Sequence, residues 1–400
     1  MGKISSRPIS ISDNPVNLRM SGKLACEPAV LHLHLVFLLG FCYICNMSEF
    51  DEYIRQGELG PKQKAEAWQT AIGLQDVDGL KPSPYLLDTA KRHIEGDITI
   101  DEVKGLIDTY YKSREGRLSS DEERTEEADK VSARITELLQ EETFSFTPSE
   151  YQRIHRRLFQ GIFKFAGKYR TYNISKNEWV LDGASVLYNP FENLPETLDY
   201  DIAQERKFDY SASSTDESIA HIAAFITGLW QIHPFGEGNT RTAAVFLIKY
   251  LRSFGFSISN DLFAAHSWYF RNALVRANYF NREKGIVPDL SYLEKFLRNL
   301  VLGEQNELKN RYLHISFQSE NNGDSKSKIC TLNCTLEELA VLRFLKENPR
   351  ATQEMTAMHI HRSERTVKSM TVRLTEREYL IRKNGKRDGW WEVLADLPTL

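Results

Sequence analysis

The sequence predicts a mainly α-helical protein with a small β-hairpin near its centre and a second hairpin near its end. Apolar residues recur at helical spacing in most segments between 48 and 310. Only residues 178–188 concentrate β-forming residues around an Asp-Gly pair, which favours a two-residue hairpin turn. The block after residue 330 has the pattern of three helices followed by two strands.

Helix start signals order the first half of the chain. Pro61 suits the first turn of one helix. A later helix begins at Thr99, where Glu102 completes a capping box. Helical spacing predicts another helix over 125–140, and Thr147, followed by a proline, opens the next.

Two strongly apolar helices form the predicted centre. The first stops at Pro234, which cannot continue a helix, and the second runs to Gly255. Two further helices are predicted over about 259–279 and 289–310. These boundaries divide the chain into an apolar extension (1–46), a helical region (47–118), a central domain (119–312), a polar linker (313–329) and a C-terminal domain (330–400).

The composition is that of a soluble globular protein. Hydrophobic residues make up 41% and charged residues 26%, which excludes a disordered chain and a multi-span membrane protein. The net charge of −4 restricts any polyanion-binding surface to a local patch. The cysteine distribution argues against a disulfide framework and favours a reducing compartment, so we expect a cytoplasmic protein without a membrane partner. The cysteines are Cys26, Cys42, Cys45, Cys330 and Cys334.

Residues 29–45 disturb this picture because they form an uncharged apolar run. The run is short for a membrane span, which needs about 20 residues. Three interpretations are open: an upstream segment with Met47 as the true start, a membrane anchor, or a signal peptide. We favour the first, because every recognisable module begins after Met47.

The chemistry concentrates in the loop from His233 to Thr242, between the two central helices. Helix N-termini bind phosphate through unpaired N–H groups, and Gly238 lets the backbone approach such a ligand closely. Arg241 adds a cation. Glu237 would repel phosphates unless Mg²⁺ lies between them, which is the usual arrangement for this ion. His233 is placed to accept a proton from a nucleophile.

This loop, HPFGEGNTRT, resembles the signature of Fic (Fido) proteins, and the similarity extends over about residues 120–310. The resemblance implies a Fic-type helical bundle that transfers AMP from ATP to a hydroxyl of a target protein or of the chain itself. It implies His233 as the general base and Glu237 as the Mg²⁺ ligand. Phosphate contacts are implied for Gly238, Asn239, Thr240 and Arg241, ATP binding through Mg²⁺ for Glu237, and nucleoside contacts for Tyr269 and Asn272. The central hairpin resembles the family's flap, which would align the target by strand pairing through Trp179, Val180, Leu181, Asp182 and Gly183.

Two positions depart from the family pattern. Thr240 stands where a second glycine is usual, and threonine is tolerated at a helix start. Ala244 stands where a second arginine is common, so the γ-phosphate loses a cation. We therefore expect a different nucleotide, a different pose or a different efficiency of transfer.

Residues 78–115 resemble the small antitoxin that pairs with some Fic toxins, here fused into the same chain. The inhibitory glutamate of that partner corresponds to Asp78, which is followed by Gly79. Asp78 is one methylene shorter, and the position of its expected arginine partner is Ala244. We therefore expect inhibition by this route to be weak, absent or purely steric. The alternative interpretation is a plain helical cap.

The C-terminal block has the element order of a winged helix-turn-helix domain. Residues 362–388 carry a net charge of +5 on the predicted recognition helix and wing, which is typical of contact with the DNA backbone. Many such domains instead mediate protein contacts. Duplex DNA and a second copy of the chain are therefore candidate partners.

The leading functional hypothesis is protein adenylylation with ATP and Mg²⁺. One alternative is a DNA-binding regulator whose Fic domain serves as a sensor, which Thr240 and Ala244 favour and His233 and Glu237 oppose. Another is the transfer of a different phosphate-containing group on the same fold.

Overall fold

The computed structural model describes residues 50–114, 119–256, 258, 261–317, 332–384 and 389–397. The prediction of a mainly helical protein is confirmed. The apolar extension 1–46, residues 318–329 of the predicted linker and Cys330 lie outside the described residues. The helices are α1 (Asp51–Gln56), α2 (Leu59–Gly73), α3 (Pro84–Glu95), α4 (Ile100–Lys112), α5 (Ser120–Gln140), α6 (Pro148–Phe159), α7 (Leu194–Glu205), α8 (Thr215–Ile232), α9 (Asn239–Arg252), α10 (Asp261–Ala277), α11 (Ser291–Leu297), α12 (Leu336–Glu347), α13 (Gln353–His359) and α14 (Glu364–Glu376). Strands β1 (Leu380–Lys383) and β2 (Trp390–Val393) form an antiparallel pair.

A buried carboxylate joins the N-terminal helices to α5. Asp129 of α5 accepts hydrogen bonds from Ser83 N (2.8 Å), Ser83 Oγ (2.5 Å) and Tyr111 Oη (2.7 Å). Ser83 is also the N-cap of α3, and the capping box between Thr99 and Glu102 at the start of α4 is present as predicted. The first helices are therefore fixed on α5 by polar as well as apolar contacts.

Helices α8 and α9 occupy the centre of the main hydrophobic core. Every residue of α9 from Asn239 to Leu251 is buried. The apolar positions predicted for α8 are also buried, including Ile222 and Ile226. No helix within the described residues is both long enough and apolar enough to cross a membrane.

Two helix boundaries differ from the predicted ones. Helix α5 starts before residue 125, because Ser119 and Glu122 form a capping box. The helix predicted over 289–310 is shorter. It continues from α11 into a π-helical turn and is ended by Gly303, whose φ angle is 68°.

The hairpin predicted at 178–188 is wrong, and the described residues form their two-stranded sheet at β1 and β2 instead. Residues 179–181 form a 3₁₀ turn. Asp182 and Gly183 do have the positive φ angles that an Asp-Gly turn uses, 54° and 83°. Val180 and Leu181 are both fully buried, so neighbouring side chains enter the core together instead of alternating across a ladder.

The C-terminal block packs on the central helices and is not independent of them. Gly255, just after α9, lies against Ile360, and Thr215 Oγ1 donates a hydrogen bond to Cys334 O (2.7 Å). One hydrophobic core includes residues of both parts. The three helices and the hairpin follow in the predicted order, while the assignment as a winged helix stays a prediction.

Several of the basic residues predicted to contact DNA form ion pairs within the C-terminal block instead. Arg362 pairs with Glu337, and Arg373 and Arg377 pair with Glu338. The two glutamates lie on α12, outside the segment whose charge was counted. Lys386 and Arg387, and Gly385 of the predicted turn, lie outside the described residues.

Gly73 marks a close approach between α2 and α10, and it allows a stability test. A Cβ added to Gly73 would lie 2.3 Å from the Cα atom of Ala264. We expect Gly73→Ala to lower the free energy of unfolding by about 1–3 kcal/mol, because the two backbones must separate. Urea unfolding of the full chain measures this change.

Gly60→Ala in the same helix is the matched control, because a Cβ there meets open space. It should leave stability unchanged or raise it by up to about 1 kcal/mol, since alanine favours helix. Equal losses in the two variants would contradict the close approach.

Candidate active site

The loop 233–238 connects α8 to α9 through two residues in the left-handed region. His233 ends α8 with φ 49°, and Pro234 prevents continuation of the helix. Gly238 precedes α9 with φ 78°. A Cβ at Gly238 would lie 2.3 Å from a ring carbon of Phe159, so both conformation and space require glycine there.

The side chain of Asn239 braces this loop from within. Its Oδ1 accepts a hydrogen bond from Phe235 N (3.0 Å), and its Nδ2 donates to Phe235 O (2.8 Å). Both polar ends of the amide are therefore engaged with the loop backbone. The predicted contact between this side chain and phosphate stays a prediction.

Two side chains from α6 and the segment after it hold the loop from outside. His155 is fully buried; its Nδ1 accepts a hydrogen bond from Gly167 N (2.8 Å), so its Nε2–H donates to Glu237 O (2.9 Å). Arg170 Nε donates to His233 O (2.8 Å). The loop backbone is thus held by hydrogen bonds at His233, where it starts, and at Glu237, near its end.

The imidazole of His233 is neutral and oriented. Burial, with a further contribution from the nearby Lys176 ammonium, holds the pKa of His233 well below its ordinary value. The neutral ring directs Nδ1 at Trp230 O (3.1 Å), a carbonyl that can only accept, so the proton lies on Nδ1 and the lone pair on Nε2. The ring also packs on Tyr188, with centroids 4.3 Å apart. This is the state that a general base requires.

Glu237 presents a half-exposed carboxylate at the mouth of the loop. Its oxygens lie 3.0 and 3.2 Å from Lys176 Nζ. No group of three or more metal-ligating side chains occurs within the described residues. A lone carboxylate still suits Mg²⁺, which is commonly held by one or two carboxylates together with substrate phosphates. The residues present therefore fit the predicted ion.

Arg241 is buried, and its partners come from parts of the chain outside the loop 233–242. Its Nη2 lies 2.6 Å from Glu127 Oε1, and its Nη1 donates to Gln75 Oε1 (3.1 Å). Its Nε lies 2.8 Å from Asp78 Oδ2, although the two atoms are not aligned for a hydrogen bond. The guanidinium also stacks on the ring of Phe159 at 4.8 Å. The predicted phosphate contact of Arg241 would require these contacts to open.

Asp78 has an arginine partner, although not at the position where the family pattern would place one. Ala244 supplies none, but the first turn of α9 directs Arg241 at the 3₁₀ turn Leu74–Asp78, which Gly79 ends with φ 65°. The N-terminal region therefore contacts the motif through an arginine other than the predicted one.

Thr240 is buried at the start of α9 and joins it to α8. Its Oγ1 accepts a hydrogen bond from Trp230 Nε1 (3.0 Å). Threonine therefore has a structural role at the position where it replaces the usual glycine, while its predicted contact with phosphate stays untested.

The two predicted nucleoside residues lie in the core on α10. Tyr269 Oη donates to Tyr292 O (3.3 Å), and Asn272 Nδ2 donates to Asn310 Oδ1 (2.7 Å). Both residues are buried and contact the segments after α10. Their role in binding a nucleoside stays a prediction.

The predicted target-docking segment is covered by the chain itself. Val180 O accepts a hydrogen bond from Ile315 N (2.9 Å), and Asp182 Oδ2 accepts one from Ser316 Oγ (2.6 Å). The half-exposed Trp179 meets the ring of His314 edge to face, with centroids 4.8 Å apart. A target that pairs with Val180 would have to displace residues 314–316.

Among the residues around the motif that sequence reasoning missed are Gln75, Glu127, His155 and Lys176. Only His155 left a signal, because a histidine on the apolar face of a predicted helix is unusual. The other three lie between 61 and 166 residues from their partners in the loop.

A buried histidine, a carboxylate and a glycine that precedes a helix follow in this order between two core helices. Residues 145–251 match the Fic/DOC family. Domains of this family transfer AMP or other nucleotide-derived groups to proteins.

Similarity to characterised proteins is otherwise distant. The crystal structure of a Fic family protein from Desulfovibrio desulfuricans G20 is 12% identical, with a TM-score of 0.39, and the match covers 94% of this chain and 99% of that one. No curated protein matches the chain.

His155 makes the stability of the loop pH-dependent. Burial, with a smaller contribution from the Arg241 guanidinium, lowers the pKa of His155 from 6.5 to about 4. The stability that this group contributes is present above pH 6.5 and is lost as pH falls towards 4, by up to about 1.4 kcal/mol per pH unit. His155→Gln should therefore lose less stability than the wild type over this interval.

Urea unfolding at pH 8, 6 and 5 measures the effect. The exposed His361, changed to Asn, is the control and should retain the wild-type pH dependence. Identical pH dependence in His155→Gln and the wild type would contradict the role assigned to His155.

Proposed function

We propose that this protein transfers AMP from ATP to a Ser, Thr or Tyr hydroxyl of a target protein. The observation that carries the proposal is the orientation of the buried His233, whose Nδ1 faces Trp230 O and so leaves the lone pair on Nε2. The N-terminus of α9 supports a phosphate site, because the first N–H groups of a helix have no intrahelical partner and favour anions. The Fic/DOC match over 145–251 is consistent with this chemistry.

The residues of the loop would divide the reaction between them. His233 Nε2 takes the proton of the target hydroxyl, and the hydroxyl oxygen forms a bond to the α-phosphorus as the bond to the β-phosphate breaks. Pyrophosphate is the leaving group. The backbone N–H groups of Gly238, Asn239 and Thr240 would stabilise the developing charge. Glu237 would hold Mg²⁺, which when bound neutralises phosphate charge.

We further propose that the N-terminal region, together with α5 of the central domain, restrains the site through Arg241. Asp78 and Glu127 both pair with its guanidinium, and Gln75 adds a hydrogen bond. This supports a regulatory role that rests on two carboxylates. It is also consistent with the expectation that Asp78 alone inhibits weakly.

Fewer basic side chains are available for DNA than the net charge of residues 362–388 suggests, which weakens the alternative of a DNA-binding regulator. Arg362, Arg373 and Arg377 are paired within the C-terminal block, whereas Arg365 and Lys368 remain exposed on α14. Contact with DNA, with a second copy of the chain or with another donor nucleotide therefore stays a secondary hypothesis.

Label transfer tests the catalytic proposal. The full chain is incubated with α-³²P-ATP and Mg²⁺, and label on protein is measured. We expect His233→Ala to lower transfer by about 10²–10⁴-fold, because the general base is lost. Since the pKa of His233 lies well below 6.5, the wild-type rate should not fall between pH 8 and 6.5.

The exposed His361→Asn variant serves as the control, and α-labelled GTP, CTP and UTP identify the donor. Equal label transfer by His233→Ala and the wild type would show that the assigned base is wrong. Transfer from another nucleotide but not from ATP would exclude AMP transfer and keep the reaction class.

Removal of one or both carboxylates tests the restraint on Arg241. Asp78→Ala should change the transfer rate less than about threefold, under ~0.7 kcal/mol of transition-state free energy, because Glu127 still holds the guanidinium. Asp78→Ala combined with Glu127→Gln should raise transfer by about tenfold or more, ~1.4 kcal/mol. Exposed Asp76→Ala is the matched control.

Unfolding is followed in parallel, because a buried arginine without its carboxylates destabilises the fold. A strong rise in activity with Asp78→Ala alone would contradict weak inhibition by Asp78. A folded double variant with wild-type activity would exclude any restraint through Arg241.

A further inference from the structure

The motif loop has little positive charge available to a ligand. Arg241, the only cation among its residues 233–242, is 1% exposed and is held by Asp78 and Glu127. A nucleotide polyphosphate carries several negative charges and normally meets cationic side chains or a metal ion. A nucleotide at this loop would therefore need a cationic side chain from outside residues 233–242.

Lys176 brings an ammonium group to the mouth of the loop from the segment before the 3₁₀ turn at 179. Its Nζ lies 3.0 and 3.2 Å from the two oxygens of Glu237. It is also close enough to His233 to help lower the pKa of that ring. The ammonium thus lies next to both the predicted base and the predicted metal ligand.

The ion pair between Lys176 and Glu237 is suited to exchange. The Lys176 side chain is 24% exposed and the Glu237 side chain 49%, and ion pairs at such sites contribute little stability. Lysine carries its charge on a flexible stem, so the ammonium can change partners without movement of the backbone. Phosphate and Mg²⁺ are the two ligands that would compete for the members of this pair.

We propose that Lys176 is the phosphate-contacting cation of this site. In the free protein its ammonium forms an ion pair with the carboxylate of Glu237. On nucleotide binding the ammonium moves to the polyphosphate. Glu237 then becomes available to Mg²⁺, so nucleotide and metal ion favour each other's binding. This inference rests on the proposed function, because it assumes a nucleoside triphosphate at the loop.

Equilibrium binding of ATP to the full chain tests the proposal without a need for turnover. Titration calorimetry is carried out with Mg²⁺ and, separately, with EDTA. Lys176→Met should weaken ATP binding by about tenfold or more in both conditions, ~1.4 kcal/mol, because a charge-assisted contact is lost. Lys176→Arg should restore most of the affinity. Lys346→Met, which removes an exposed lysine of α12, is the matched control and should bind ATP like the wild type.

A second measurement follows the metal ion alone. Mg²⁺ titrated without nucleotide should bind Lys176→Met more tightly than the wild type, by about threefold or more (~0.7 kcal/mol), because the competing ammonium is gone. Thermal unfolding checks that each variant is folded. If Lys176→Met does not fold, Lys176→Gln and Lys176→Arg are compared instead, and equal ATP affinity in those two would overturn the proposal.

The outcomes separate this inference from the proposed function. Wild-type ATP affinity in folded Lys176→Met overturns the role of Lys176, whether or not label transfer occurs. Loss of affinity in Lys176→Met, with no label transfer by the wild type, supports the role of Lys176 and removes AMP transfer. No binding of ATP by the wild type overturns both.

Discussion

The buried guanidinium of Arg241 is the charge on which the arrangement of the motif and the N-terminal helices depends. It comes from the first turn of α9, and its partners come from α5 and from the 3₁₀ turn after α2. An unpaired buried charge costs several kcal/mol, so the position of α9 is stabilised by the carboxylates that the other two elements supply. The N-terminal region is therefore part of the structure that forms the loop.

The same constraint links stability to the proposed restraint on the site. Two carboxylates, of Asp78 and Glu127, surround the guanidinium of Arg241 in the first turn of α9. The ammonium of Lys176 supplies positive charge beside Glu237 in the loop before that helix. The loop backbone between them is held by His155, Arg170 and Asn239. The loop backbone is thus constrained by hydrogen bonds, whereas the proposed exchange of partners concerns the charged side chains around it.

The helices could be predicted from the sequence because their signals are local. The capping box at Thr99 and the threonine-proline start at Thr147 each lie within a few residues of the helix that they begin. The failed hairpin at 178–188 has a different cause. Its Asp-Gly pair has the expected backbone angles, but burial of Val180 and Leu181 decided the conformation of the residues before it. Tertiary packing of this kind has no signature in a short window.

The candidate site also combines residues that the sequence could indicate with residues that it could not. His233, Glu237 and Gly238 were found because they are contiguous in the chain. Glu127 lies 114 residues from Arg241, and His155 lies 82 residues from Glu237, so only the fold brings them together. The basic charge of the C-terminal block was overestimated for a related reason, because the acidic residues of α12 that neutralise it lie outside that segment.

Helix α9 has a mechanical consequence that follows from where its two ends lie. It is 14 residues long, which corresponds to about 21 Å, and it starts at the Fic-type loop. Gly255, three residues after its last turn, lies against Ile360 in the turn between α13 and α14. The helix is buried along almost its whole length, so we expect it to transmit a displacement between these two points as a rigid element. A partner that shifts the turn at Ile360 would therefore act on the end of α9 opposite to Asn239.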